Sequence, residues 1–146
     1  MVGLEEWGKI VKSGLAAGIV MLVISVALMP VWSTLIPGQQ AEYENEHIFR
    51  PWSDPLMSYV FVHPFVLGLL MAYAYTYFGR GWKKKSLLCK GTFYGLLVWL
   101  VGGLPGMLMT ISSFQLSNAM VLSWTVQGLI ATLAGGFVIV KLWEKK

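Results

Sequence analysis

The chain has 146 residues, 56% of them hydrophobic and only 12% charged. A soluble domain carries about a quarter charged residues, so an ordinary water-soluble fold is excluded. The formal net charge of +4 does not argue for nucleic acid, because the basic residues fall where membrane topology places them.

Four apolar stretches follow one another, each long enough to supply the roughly 20 helical residues that cross a hydrocarbon core of about 30 Å. They predict one all-α domain over residues 1–146, a polytopic four-helix transmembrane bundle. Away from water, backbone groups must be satisfied within their own segment, so each run is read as a helix. The first span covers about 9–35. Lys9 and Lys12 precede it as in a signal peptide, but it is longer than a signal core. Its end, ALMPVWS, lacks a small-x-small cleavage pattern, so the span is expected to be retained.

The stretch AEYENEHIFRPWSDP (41–55) holds four of the seven acids. A short helix is predicted from about Gln40 to Phe49, ended by Pro51. Glu42, Glu46 and Arg50 would then share one face at four-residue spacing. Ala41, Ile48, Phe49 and Trp52 would share another, suited to lying on the membrane as an interfacial helix. Glu44 and His47, three apart, offer a second reading in which a divalent metal binds the loop. No HExxH pattern or histidine pair supports it.

The second span, 55–78, opens on Asp54-Pro55, an N-cap followed by proline at the first helical position. The next loop carries Arg80, Lys83, Lys84, Lys85 and Lys90 and no acid. Short loops rich in lysine and arginine stay in the cytoplasm. The chain is therefore expected in the cell membrane with both termini cytoplasmic, the acidic loop outside, and Arg80 and Lys83–85 on anionic lipid headgroups. The third span, 86–112, is capped by Ser86, and the fourth, 118–143, by Ser117 or Asn118. The lone Cys89 rules out an intrachain disulfide and dithiol redox chemistry; it is expected as a small buried hydrophobe. Trp32 and Trp52 at one interface, and Trp7, Trp82 and Trp143 at the other, read as anchors.

Small residues recur at four-residue spacing: Gly14/Gly18, Gly68/Ala72/Thr76, Gly91/Gly95, Gly102/Gly106 and Gly128/Thr132/Gly136. Such faces let helix backbones approach closely, and their number points to a homo-oligomer or other membrane subunits as well as an internal bundle. GLAAGIV (14–20) is similar to GTFYGLL (91–97), and VLGLLMA (66–72) to VQGLIAT (126–132), as in a parallel two-plus-two repeat.

No Asp, Glu or Arg lies deep in a span, against proton-coupled export of the small four-span multidrug type. The buried-level polar residues are His63, about 12 Å from Pro55 at 1.5 Å per residue, and Gln127, about 14 Å from Asn118. Pro30, Pro64 and Pro105 lie at the same level and are expected to kink their helices, freeing the carbonyls of Val26, Val60 and Val101. These features predict an outward cavity floored by His63 and Gln127 and walled by Tyr59, Ser123 and Trp124. The alternative is that His63 simply hydrogen-bonds Gln127 or Tyr59 within the bundle.

Trp32, the HPFVLGLLMAYAY stretch and the KGTFYGLLVW start of the third span resemble those of small uncharacterised four-span membrane proteins of bacteria and archaea. That resemblance implies a fold and assigns no activity. The arginine- and asparagine-rich motif of the trimeric glutathione-using membrane enzymes is missing. No catalytic constellation or cofactor motif stands out. The leading expectation is a self-associating or accessory membrane subunit, next a small transporter or channel using the cavity, third a metal-assisted enzyme. Membrane lipid is the expected surrounding.

Overall fold

A computed structural model describes residues 3–79 and 86–144. The expected lipid contacts of Arg80 and Lys83–85, and the Trp82 anchor, lie outside them. The described chain is all-α. It forms α1 (Leu4–Leu35), α2 (Gln39–Tyr43), a 3-10 turn (Pro55–Ser58), α3 (Tyr59–Phe78), α4 (Leu87–Val98), a π turn (Trp99–Gly103), α5 (Leu104–Ser113) and α6 (Asn118–Glu144). Four helical stretches are long and apolar enough to cross a membrane: Leu4–Leu35, Pro55–Phe78, Leu87–Ser113 and Asn118–Glu144. Large apolar side chains such as Val23, Val66, Leu100 and Leu122 are exposed along all four, as contact with lipid requires.

The ends follow from local chemistry. The Asp54 carboxylate accepts from the Leu56 N–H at 2.9 Å, opening the 3-10 turn that leads into α3. Ser86 Oγ accepts from the Cys89 N–H at 3.3 Å at the start of α4. Ser117 Oγ accepts from the Met120 N–H at 3.2 Å at the start of α6. Cys89 itself is exposed, not buried, although its neighbours Lys90 and Gly91 are buried in the same turn of α4.

The helices pack as α1 on α3, α4 on α6, and α1 on α6. Two glycine seams set the first two contacts. A Cβ added at Gly14 or Gly18 would lie 2.8 Å from the backbone of Leu69 or Phe65, and Gly68 faces the Gly14 carbonyl. A Cβ at Gly91 would lie 2.5 Å from the Phe137 Cα; Gly95 abuts the Thr132 carbonyl, and Gly136 faces Gly91 and Gly95. So GLAAG and GTFYG play matching parts in two helix hairpins. The counterpart of Gly68 is Gly136, however, and not Gly128 as the sequence similarity aligns it. Gly128 faces the Trp99 indole instead.

Most of the core lies toward the termini: Ile10, Ala17, Met71, Tyr75, Tyr94, Ile139 and Val140 are buried there. We call this the terminal end, and the opposite one, with residues 36–58, the loop end. At the terminal end α3 meets α4 through the Tyr94 hydroxyl, which donates to the Met71 carbonyl, and through edge-to-face packing of Tyr75 and Tyr94 with centroids 5.2 Å apart. Lys90, read in the sequence as a loop charge, is only 6% exposed. Its Nζ lies 2.7 Å from Glu144 Oε1, which also accepts from the Tyr75 hydroxyl at 3.1 Å. At the loop end α5 contributes no buried residue, and the bundle is open.

The three prolines do different things. Pro30 and Pro64 lie inside α1 and α3, which run through them as single helices. In the third span the interruption is the π turn, where the Leu104 N–H donates to the Trp99 carbonyl five residues back. Pro105 follows in the first turn of α5, directly after that widened turn.

Candidate functional site

The opening at the loop end is a cleft of two chambers. The lower one, about 520 Å³, lies between α1, α3, α6 and the π turn with α5. Met21, Met29, Phe61, Leu67, Trp99 and Met107 make it chiefly apolar, with His63 and Gln127 among its few polar groups. The upper chamber, about 530 Å³, lies under the folded loop. The chambers share Met29, Val60, Trp124 and Gln127 as wall residues, and so adjoin there.

The π turn shapes the lower wall. Trp99 Nε1 donates to the Thr125 carbonyl on α6 at 3.0 Å, and its ring lies against Gly103, where a Cβ would come within 2.9 Å. Gly102 and Gly106 have nothing within 4 Å of a built Cβ and border the chamber. Beyond this turn α5 packs less extensively on α6 than α4 does, which leaves space beside it. Such π turns are frequent at functional sites.

The loop forms the roof. The expected helix from Gln40 to Phe49 is shorter, ending at Tyr43, because residues 39–43 are pinned to α6. Gln39 is buried, and its Nε2 donates to Ser123 Oγ at 3.1 Å. Glu42 accepts from the Ser117 N–H at 3.0 Å. Trp124 Nε1 donates to the Tyr43 hydroxyl at 2.6 Å, and Phe49 packs edge-on to Trp124 at 6.0 Å. After Tyr43 the chain turns, so Glu42, Glu46 and Arg50 do not form a helical row. Arg50 pairs with Asp54 at 2.8 Å instead. The Leu56 N–H, and next Arg50, hold the Asp54 carboxyl below the usual carboxylate range. Burial raises the Tyr43 phenol above its ordinary value, partly offset by the Trp124 bond, so it stays protonated.

The expected site residues therefore separate. His63, Trp124 and Gln127 line the cleft. Ser123 does not: it is 1% exposed, beneath Gln39. Tyr59 does not either; it is 64% exposed and lines neither chamber. His63 is a wall residue and not a buried histidine inside the bundle. Pro30 borders the upper chamber and Pro64 the lower; Pro105 borders neither. Glu44 and His47 are both exposed. Glu44 accepts from Gln40 at 2.9 Å, and no group of three His, Cys, Asp or Glu among the described residues is placed to hold a metal.

Most residues of the cleft were not singled out by sequence reasoning as site residues. Trp32 and Trp52, read as anchors, line the upper chamber with Tyr43 and Arg50. A tryptophan at the end of a span suits either role, and nothing in periodicity separates them. Trp32 Nε1 is buried and has no hydrogen-bond partner among the described residues. Comparison with family models, curated proteins and solved structures gives no match.

Proposed function

We propose that the protein is a small membrane carrier or channel component that holds a small molecule in this cleft, which opens to the outer face. The two adjoining chambers carry the proposal. Each falls within the roughly 300–1,000 Å³ of ordinary ligand pockets, and they lie where His63 and Gln127 bring polar groups into an apolar wall. The accessory-subunit reading draws less support, because most of the seams that motivated it are used internally; Gly102 and Gly106 alone among those glycines meet nothing. Gly14, Gly18, Gly68, Gly91, Gly95 and Gly136 all face another helix of the same chain.

The test is whether a molecule travels with the protein. Extracted in mild detergent, the wild type is expected to carry one small molecule in its native mass spectrum. Gly106→Leu, which projects into the open lower chamber, is expected to lose it while remaining folded. A bare wild type, or a ligand retained unchanged by Gly106→Leu, would count against the cleft as the site.

A further inference from the structure

The upper chamber differs in chemistry from the loop that roofs it. That loop is rich in acids, yet no Asp or Glu lines either chamber. Glu42 is turned to Ser117, Glu44 to Gln40, and Asp54 to Arg50 and Leu56. The lining presents donors instead. The Tyr43 oxygen already accepts from Trp124, which leaves the phenol hydrogen to donate. Arg50 borders the chamber, and its guanidinium donates through Nη1 to Asp54. A guanidinium favours carboxylate or phosphate oxygens.

The lower chamber supplies an apolar continuation of matching length. Met21 at its floor and Trp32 in the upper chamber are eleven residues apart on α1. That is about 16 Å at 1.5 Å per residue, close to half a hydrocarbon core of about 30 Å. The cleft therefore has the length and polarity of one membrane leaflet.

Resting on the reading of the cleft as a ligand site, we infer that its occupant is an anionic amphiphile. Its carboxylate or phosphate head sits on Tyr43 and Arg50, and its apolar chain passes Trp124 and Gln127 into the lower chamber. A resident membrane lipid and a free single-chain amphiphile share this chemistry.

A matched set of probes separates head from tail: hexadecyl phosphate, palmitate and hexadecanol, titrated into detergent-solubilised protein while tryptophan fluorescence or native mass is followed. The two anions are expected to bind one to one, at least about tenfold more tightly than the alcohol, the discrimination of a charge-assisted hydrogen bond. Arg50→Gln should erase that preference and leave alcohol binding in place. Because Arg50 also holds Asp54, a second variant guards against a purely structural effect. Asp54→Asn keeps an oxygen for the Leu56 N–H and removes the competing charge, so it should tighten binding of the anions.

Equal binding of anion and alcohol overturns the inference and leaves the cleft reading intact. So does Asp54→Asn that fails to tighten anion binding. Inorganic phosphate that binds as well as hexadecyl phosphate, and does so in Gly106→Leu, overturns the amphiphile. Probes that bind neither in the wild type nor in any variant sink both readings. Displacement of hexadecyl phosphate by phosphatidylglycerol in nanodiscs supports a resident lipid, and displacement by palmitate alone supports a free amphiphile.

Discussion

Lys90 shows how far a residue's meaning depends on its partner. In the sequence it continues the basic run that begins at Arg80. In the fold it is buried on α4 and reaches Glu144, the last described residue of α6. A pairing between charges so far apart in the chain leaves no trace in spacing or periodicity, which is why it was not legible. Its two members are unequally buried: the lysine side chain is 7% exposed and the glutamate 29%. Removing either therefore has unequal consequences. Glu144→Ala strands a buried ammonium, and loss of one partner of a buried pair costs about 3 kcal/mol or more. Lys90→Met keeps the volume and leaves a partly hydrated carboxylate that still accepts from Tyr75, so its cost should stay under about 1.5 kcal/mol. Equilibrium unfolding in mixed detergent micelles compares the two. Equal losses would show that the pair is not held in a buried, charged state.

Among the elements, the spans themselves were legible because membrane burial forces both their length and their helicity. The predicted 55–78 and 86–112 match Pro55–Phe78 and Leu87–Ser113 closely, since Asp54, Ser86 and Ser117 announce the helix starts. The course of the third span was not legible. VGGLPGM reads as a weak stretch, but whether it bends, breaks or widens depends on Trp99 finding the Thr125 carbonyl on another helix. The glycines divide accordingly. Those in the seams meet backbone, which cannot move aside, so Gly95→Ala or Gly136→Ala should destabilise by about 1–3 kcal/mol, as overpacking does. Gly102→Ala meets open space and should be neutral or stabilise by up to about 1 kcal/mol, because alanine loses less chain entropy on folding. Thermal unfolding of the three variants reads the difference. A Gly102→Ala loss as large as that of Gly95→Ala would mean that the π turn is closed against a neighbour.

Across the whole molecule, the two hairpins are nearly equivalent and the spaces between them are not. A two-plus-two arrangement around one axis would make α1 on α6 the counterpart of α3 on α4. The first contact is extensive; the second is confined to the terminal end, where Tyr94 reaches Met71. Beyond it α5 packs less extensively on α6 than α4 does, and the cleft occupies the gap. The open side therefore faces whichever compartment holds the 36–58 loop, and the charges decide which. Basic residues lie at both termini and in residues 80–90, whereas the loop has four acids and one arginine. Short basic segments remain cytoplasmic, so the loop, and with it the cleft mouth, should lie outside. Gly3 and Glu46 are exposed at opposite ends of the bundle, and each tolerates a reporter thiol once Cys89 is replaced by serine. In intact cells a membrane-impermeant maleimide is expected to label Glu46→Cys at once and Gly3→Cys only after the membrane is broken. The reverse order would turn the cleft toward the cytoplasm, and the anionic amphiphile would then be drawn from the inner leaflet.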